Sequence, residues 1–193
     1  QDLLVAQSIH KECPEKHLDI GSRIDGFVSN VASFRDIESL DIRKILSKIP
    51  RVIFKQADIT NLESLTMHNI NDGYCDSISC LHALEHFGLG RYNDPIDVHG
   101  WKIGFKNITK ILKKNGIFYL STPIGKQRVE FNANWVFNRY TIINFAKECG
   151  MILKSLIIID ANGYKTVELT NENLYKLVNE NYNLGLFYFV KNI

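Results

Sequence analysis

The chain has 193 residues, of which 45% are apolar and 23% charged, and its formal net charge is +2. This length and composition predict one globular domain spanning residues 1–193 and exclude two sizeable domains. The nearly balanced charge differs from the clustered basic face of a dedicated nucleic-acid-binding protein, so we expect no nucleic-acid partner.

The cysteines and the apolar runs bear on cellular location. The cysteines are Cys13, Cys75, Cys80 and Cys149. They lack metal-ligand spacing and no signal peptide is visible, which predicts free thiols in the reducing cytoplasm. The longest apolar runs, such as 156–159, are far shorter than the roughly 20 residues of a membrane helix, so we expect a soluble protein without a membrane partner. Gln1 in place of a starting Met indicates a fragment or a trimmed chain.

Strands and helices alternate along the chain, and the strands are continuous apolar runs typical of a parallel sheet covered on both faces. We therefore predict an α/β domain with seven strands, five parallel crossovers and a final hairpin-like pair. The predicted strands are 17–20, 39–41, 51–56, 77–80, 117–121, 153–159 and 185–193. The predicted helices are 26–33, 101–113 and 141–148, with Asn115-Gly116 as a glycine cap of the second helix and Thr141 as the cap of the third.

An acidic residue lies at or just after the end of each of three predicted strands. Asp19 precedes a glycine turn at Gly21, where the crevice outside the strand ends binds ligands in doubly wound sheets. Asp41 lies roughly 20 residues further on, the distance expected of a ribose-binding carboxylate. Its alternative role is a salt bridge with Arg43. Asp58 ends the third strand, where its side chain or the Ile59 backbone could meet an adenine amino group; the alternatives are a helix cap or a solvated acid.

The glycine turn does not match a dinucleotide fingerprint. No second glycine follows Gly21 until Gly26, and the bulky Arg23 fits poorly where backbone must approach a pyrophosphate. Asp19 would repel a phosphate but attract an ammonium group. If Arg23 pairs with Asp19, the pKa of Asp19 should be lowered and the carboxylate should stay anionic. These features favour S-adenosylmethionine over a nicotinamide cofactor.

The densest cluster of chemically active residues is LHALEHFG, with His82, Glu85 and His86. It lacks an HExxH arrangement and an evident third ligand, so we expect no metal. Either histidine could accept a proton from an attacking hydroxyl, with Glu85 orienting one of them. The alternative is that His86 only packs or caps a helix.

Two long connections, 87–100 and 122–140, are the predicted walls of a substrate site. Arg91 and Arg128 could bind a carboxylate or phosphate, or could simply be solvated. Tyr92 could stack on a sugar, as could Phe131 in the second connection. Glu130 is a further candidate base.

The segments HLDIG, SLDIR, QADIT, DSISCLHALEHFG and ILKKNGIFYLSTPIG together resemble the class I S-adenosylmethionine-dependent methyltransferases over nearly the whole chain. Within them, GSRIDGF, LHALEHFGLGRYNDPID and PIGKQRVEFNA resemble the uncharacterised family filed as domain of unknown function 268. The resemblance implies a Rossmann-like fold with an antiparallel last strand. It also implies a cofactor held by Asp19, Gly21, Asp41 and Asp58.

Cofactor contacts are also expected from the neighbours of those matching positions. These neighbours are Ser22, Arg23, Ile42, Ile59 and Leu81. Arg23 departs from the superfamily pattern, in which a glycine is usual. The resulting hypothesis is a methyltransferase acting on a hydroxyl of a small polar or glycan-related molecule, such as a sugar nucleotide. The alternative is a non-catalytic cofactor-binding or scaffold module, and the sequence leaves an oligomer open.

Overall fold

The computed structural model describes residues 1–92, 94–130, 133–176 and 181–192. The described helices are α1 (Asp2–Glu12), α2 (Ser29–Ala32), α3 (Leu62–Thr66), α4 (Gly100–Ile111), α5 (Arg139–Glu148) and α6 (Asn171–Lys176). The described strands are β1 (His17–Ile20), β2 (Ile37–Asp41), β3 (Val52–Gln56), β4 (Cys75–Leu81), β5 (Leu112–Ile124), β6 (Arg128–Glu130), β7 (Asn134–Val136), β8 (Met151–Asp160), β9 (Gly163–Val167) and β10 (Asn183–Lys191). Within those ranges, no helix combines the length and hydropathy needed to cross a membrane.

The main sheet has the strand order β3-β2-β1-β4-β5-β10-β8-β9, and β6 and β7 form a separate hairpin. Strands β1 to β5 are parallel to one another. Strand β10 is antiparallel to both β5 and β8. The predicted α/β class, the mostly parallel sheet and the antiparallel last strand are thereby confirmed. The chain proceeds from β1 outward to β3 on one side and from β4 to β5 on the other, which makes the β1/β4 boundary the topological switch point.

Helices cover both faces of the sheet, because alternate residues of one strand enter two different apolar clusters. Phe118 of β5 packs in the cluster that contains Phe105 of α4. Its neighbour Tyr119 packs in the cluster that contains Val5 of α1 and Val31 of α2. Both faces of the sheet are therefore buried, which explains why its central strands are continuous apolar runs.

The strand count differs from the sequence prediction. The main sheet has eight strands rather than seven, because β9 forms an antiparallel hairpin with β8 at the edge of the sheet. Four of its five residues are exposed. An edge strand of this kind makes backbone hydrogen bonds without burying its side chains, so the sequence carries no apolar run to reveal it.

The prediction that Asn115-Gly116 caps α4 is wrong. The helix ends at Ile111, and Leu112 is already extended. Strand pairing then skips from Leu112 to Ile117, and Asn115 adopts a left-handed conformation with φ of 62°. The pair therefore lies in an irregularity inside the strand, where a residue that tolerates positive φ is also favoured.

Two other predicted helices also begin differently. The segment 26–33 is an irregular helical turn at Ile24–Val28 followed by the short α2. Helix α5 begins at Arg139 rather than Thr141, because the side chain of Asn138 accepts a hydrogen bond from the backbone N–H of Tyr140. Asparagine and threonine both cap helices well, and the sequence presents both within four residues.

Substitution of Phe105 by alanine is expected to lower the free energy of unfolding by about 3–5 kcal/mol. The ring is fully buried and contacts Phe118, Phe145 and Phe189 edge-on. Urea denaturation followed by circular dichroism measures the change. Ile103→Ala on the same helix is the control, since Ile103 is 37% exposed and its loss should cost about 1 kcal/mol or less. Equal losses in the two variants would contradict this account of the core.

Candidate functional site

A cavity of about 500 Å³ lies at the carboxyl ends of the first four strands. Four short segments line it, each following one of these strands: 20–22 after β1, 40–43 after β2, 57–60 after β3 and 81–83 after β4. The volume falls within the range typical of small-molecule sites. The cavity thus occupies the switch point, where ligands bind in open α/β sheets.

The walls of the cavity combine apolar surface with an excess of acidic groups. Five aspartates line it against two arginines. The acidic residues are Asp2, Asp25, Asp41, Asp58 and Asp94. Apolar side chains from the strand ends, including Ile42, Ile59 and Leu81, supply flat contact surface. Such a cavity favours a ligand that joins an apolar ring to a positive charge.

Asp19 does not line the cavity. Its side chain is completely buried and accepts hydrogen bonds from three donors: the backbone N–H of Ser22 at 3.2 Å, the Ser22 hydroxyl at 2.8 Å and the Ser79 hydroxyl at 2.7 Å. The prediction of direct contact with a ligand ammonium group is therefore corrected. Asp19 acts on the cavity indirectly, by fixing Ser22, which does line it.

The prediction of a lowered pKa for Asp19 is also wrong. Burial raises its pKa to about 7, against the opposing effect of its hydrogen bonds from Ser79 and Ser22. Arg23 is not its partner, because that guanidinium lies at the exposed rim and binds Asp25 at 2.7 Å. The sequence interval of four residues between Asp19 and Arg23 does not bring them together, since the chain turns at Gly21.

A buried polar network continues from Asp19 into the sheet. The ring of His17 contacts the Ser79 hydroxyl through Nε2 at 3.1 Å and the Ser77 hydroxyl through Nδ1 at 2.6 Å. Burial, with a smaller effect from the charge of Arg35, lowers the pKa of His17 to about 3. The imidazole is therefore neutral, and the network joins β1, β4 and the glycine turn without a buried cation.

Gly21 occupies a position that requires glycine. Its φ is +74°, and a Cβ atom there would lie 2.7 Å from the Cβ of Ala83. Its N–H donates to the carbonyl of Leu40 at 2.9 Å. The glycine therefore allows the turn after β1 to pass between the ends of β2 and β4, in agreement with its assignment to the cavity.

Asp41 lines the cavity and is almost fully buried, and it is bound by Arg43. The Arg43 guanidinium reaches its Oδ2 through Nη2 at 2.5 Å and its Oδ1 through Nε at 3.0 Å. The backbone N–H of Arg43 also donates to Oδ1 at 2.8 Å. The salt bridge that the sequence offered as the alternative is thus present, at the same place as the predicted ribose site.

Asp58 and Ile59 line the cavity at the end of β3. The Asp58 carboxylate accepts hydrogen bonds from the backbone N–H and the hydroxyl of Thr60, both through Oδ1. The carbonyl of Ile59 accepts a hydrogen bond from the side-chain amide of Asn107. Helix α3 has Asn61 as its cap, so Asp58 is not that helix's N-cap.

His82 and Glu85 form a hydrogen-bonded pair at the end of β4. The Nδ1 atom of His82 lies 2.7 Å from Oε1 of Glu85, whose side chain is only 2% exposed. His82 lines the cavity and adopts a left-handed conformation with φ of 55°, which costs energy for a residue with a Cβ atom. Its backbone N–H is held by the hydroxyl and the carbonyl of Ser121. Because Glu85 occupies Nδ1, the Nε2 atom is the one left to meet a ligand.

His86 also lines the cavity, but its contacts differ from those of His82. Its Nδ1 donates to the carbonyl of Ala133 at 2.8 Å, and its ring meets Tyr92 edge-on at 5.6 Å. Arg91 is exposed and donates to the same carbonyl at 3.0 Å. Tyr92 lies in the cavity wall, and its stacking on a sugar stays a prediction. Arg91 is outside the lining and joins the two long connections.

Arg128 and Glu130 lie outside the lining of the cavity. Both belong to the β6–β7 hairpin and bind each other at 2.5 Å. Arg128 also donates to the carbonyls of Lys126 and Asn181. Their prediction as substrate-binding residues is not supported by this placement, because their charges satisfy each other. Phe131, the other aromatic residue predicted to stack on a sugar, lies outside the described residues. Among the described residues there is no cluster of three potential metal ligands.

Sequence reasoning missed Asp94, which organises the first long connection. Its carboxylate accepts hydrogen bonds from the backbone N–H groups of Gly88, Gly90 and Tyr92. It also missed Gln1 and Asp2, which close the cavity from the start of α1. The sequence Asn-Asp-Pro was the available signal for Asp94, since aspartate commonly binds nearby backbone in turns. No local pattern marked Gln1 or Asp2.

Comparison with known proteins agrees with the architecture. The family model described as "Caenorhabditis protein of unknown function, DUF268" matches residues 35–179, which is more than half of the chain. No curated protein sequence matches the chain.

Three solved structures illustrate the shared fold. The 1,6-didemethyltoxoflavin-N1-methyltransferase of Burkholderia thailandensis has a TM-score of 0.65 at 10% identity, over 100% of this chain and 78% of its own. The N-methyltransferase NodS of Bradyrhizobium japonicum WM9 has a TM-score of 0.58 at 12% identity, over 98% and 84%. The [4+2]-cyclase SpnF has a TM-score of 0.66 at 12% identity, over 100% and 82%. The chain therefore has the Rossmann-like fold of the S-adenosylmethionine-dependent methyltransferases.

The raised pKa of Asp19 predicts a specific pH dependence of stability. An unfolded chain releases this proton near pH 4, whereas the folded protein keeps it until about pH 7. The contribution of Asp19 is therefore fully present below pH 4 and is lost as the pH rises to 7, by up to about 4 kcal/mol. Urea denaturation from pH 3 to pH 8 should show a smaller loss over this window in Asp19→Asn than in the wild type. Identical slopes in the two proteins would refute the assignment.

Proposed function

The chain belongs to the DUF268 family, and we propose from the geometry of its cavity that it is an S-adenosylmethionine-dependent methyltransferase. The observation that carries the proposal is the acidic, partly apolar cavity at the switch point of this fold. Two of the neighbours of similar fold are described with bound S-adenosylhomocysteine, the product of methyl transfer.

The residues of the cavity fit this cofactor by their chemistry. An adenine ring suits the apolar strand ends at Ile42, Ile59 and Leu81, and Asp58 offers a carboxylate to its amino group. Asp41 suits the ribose hydroxyls, since a carboxylate can accept two hydrogen bonds. The excess of aspartates suits the sulfonium and ammonium charges and disfavours a nicotinamide dinucleotide, whose phosphates they would repel. When bound, S-adenosylmethionine supplies an electrophilic methyl group.

The His82–Glu85 pair is the proposed proton acceptor. An attacking hydroxyl loses its proton as the new bond to carbon forms, and Nε2 of His82 takes that proton. The buried carboxylate of Glu85 at Nδ1 keeps the ring in the required tautomer and stabilises the imidazolium that results. His86 is the second candidate, because its Nδ1 is held by Ala133 and its Nε2 is likewise left for a ligand.

The proposed acceptor is a small polar or glycan-related molecule with a free hydroxyl. A histidine base favours an alcohol, which requires deprotonation during attack, over an amine, which can attack as the free base. The neighbours include enzymes described as N-methyltransferases and a carbon methyltransferase, so they do not indicate which atom accepts the methyl group. The proposal of an oxygen acceptor is based on the His82–Glu85 pair alone. A cytoplasmic location, without nucleic-acid or membrane partners, also belongs to the proposal, and an oligomer is compatible with it.

A second candidate is a non-catalytic module that binds the same cofactor. The [4+2]-cyclase among the neighbours is one observation in its favour, because that protein is described as a cyclase and not as a methyltransferase. Arg23 is another, since this position departs from the glycine usual in the superfamily. Detection of S-adenosylhomocysteine during incubation with S-adenosylmethionine and a panel of sugar nucleotides separates the two candidates.

Asp41→Asn is expected to weaken the binding of S-adenosylhomocysteine about tenfold, because one charged acceptor of the ribose hydroxyls is lost. Isothermal titration calorimetry measures the affinity. Asp25→Asn is the matched control, since Asp25 also lines the cavity but is exposed and bound to Arg23, so its change should stay within about twofold. No binding by the wild type at millimolar ligand would remove the proposed function.

His82→Ala is expected to lower turnover about 10²- to 10⁴-fold through loss of the proton acceptor, with little change in cofactor affinity. Glu85→Gln should lower it less, because the hydrogen bond to Nδ1 can persist without the charge. The measurement is S-adenosylhomocysteine formation with an acceptor found in the panel, alongside calorimetry. His99→Ala is the control, because His99 lies outside the cavity lining. Wild-type turnover in His82→Ala would show that His82 is not the proton acceptor and would leave His86 or another residue as the acceptor.

A further inference from the structure

Arg43 places a positive charge inside the cavity at the position proposed for the ribose. Its guanidinium binds both oxygens of Asp41 and also donates through Nη2 to the carbonyl of Gly21 at 3.3 Å. The Cζ atom lies 4.8 Å from the centre of the Tyr92 ring. Arg43 therefore contacts three walls of the cavity at once: the end of β2, the glycine turn and the first long connection.

The contacts of Arg43 use the groups that a ribose would need. A ribose diol donates two hydrogen bonds to a carboxylate, and the Asp41 oxygens already accept four from Arg43. The aromatic face of Tyr92 is likewise occupied by the guanidinium. One of the four bonds comes from the Arg43 backbone and can persist, but the three side-chain bonds compete directly with the diol.

We propose that Arg43 competes with a bound ribose for Asp41 at this end of the cavity. In the absence of cofactor it neutralises Asp41, and a nucleoside binds only by displacing the guanidinium from that carboxylate. The side chain of Arg43 is 42% exposed, so it can turn outward to solvent without losing a buried environment. This inference rests on the proposed function, since it concerns the ribose of the same cofactor.

The pair formed by Arg23 and Asp25 shows what is particular to Arg43. Both pairs join an arginine to an aspartate two residues away, and all four residues line the cavity. The carboxylate of Asp25 is 68% exposed, whereas that of Asp41 is 6% exposed. Water can replace Arg23 on Asp25, but removal of Arg43 leaves Asp41 nearly buried with one backbone donor, so a ligand hydroxyl there gains more.

Arg43→Gln and Arg43→Ala should therefore tighten the binding of S-adenosylhomocysteine and of adenosine about threefold to fivefold, the range that a partly exposed ion pair supports. Adenine alone, which has no ribose, should bind each variant as it binds the wild type. Arg51→Ala is the control and should change none of these affinities by more than about twofold, because Arg51 binds the exposed Asp36 outside the cavity lining. Isothermal titration calorimetry measures all of these affinities.

A double-substitution cycle with Asp41 makes the test specific. In an Asp41→Asn background, Arg43→Ala should no longer tighten adenosine binding, because the competition for that carboxylate has been removed. Weaker binding in the Arg43 variants would show instead that Arg43 contacts the cofactor, and unchanged binding would show that it does not compete. Either result overturns the inference while the proposed function stands. If the wild type and all variants bind neither S-adenosylhomocysteine nor adenosine, the inference and the proposed function are both refuted.

Discussion

The buried carboxylate of Asp19 is the constraint on which the cavity depends. Its three hydrogen bonds tie the turn after β1 to the middle of the sheet through Ser22 and Ser79. A buried carboxyl group must be satisfied by hydrogen-bond donors from the protein, because water is absent. Here the donors belong to β4 and to the turn after β1, so both must hold their observed positions for the carboxyl group to be satisfied. The shape of the turn, and with it the position of Ser22 in the cavity wall, follows from that requirement.

Asp19 shows how far the sequence could predict the site. An acid between an apolar strand and a glycine marks a strand end, so the location of the cavity was predictable from HLDIG, SLDIR and QADIT. The depth of each side chain was not. Asp19 pairs with Ser39, two residues before Asp41, so the carboxylate of Asp19 lies deeper in the sheet and is fully buried, whereas Asp41 and Asp58 line the cavity.

The fold itself was predictable wherever burial leaves a pattern. The strand 17–20 was predicted with the bounds of β1, because both of its faces are buried and its residues are apolar or locally bonded. Strand β9 and the β6–β7 hairpin carry no such pattern, since their side chains are largely exposed or partly exposed. The pairing of His86 with Ala133 depends on where that hairpin packs, which local sequence does not encode.

The position of β10 bears on the order in which the sheet can assemble. It lies between β5 and β8, although β8 and β9 precede it in the chain. During biosynthesis, the β8–β9 hairpin thus leaves the ribosome with no strand to join, and the edge of β5 stays open to other chains until β10 emerges. Unpaired edges of this kind promote aggregation, and long-range pairing is slow to form. A nascent chain of this fold would therefore benefit from a chaperone that covers β5 until synthesis has passed β10.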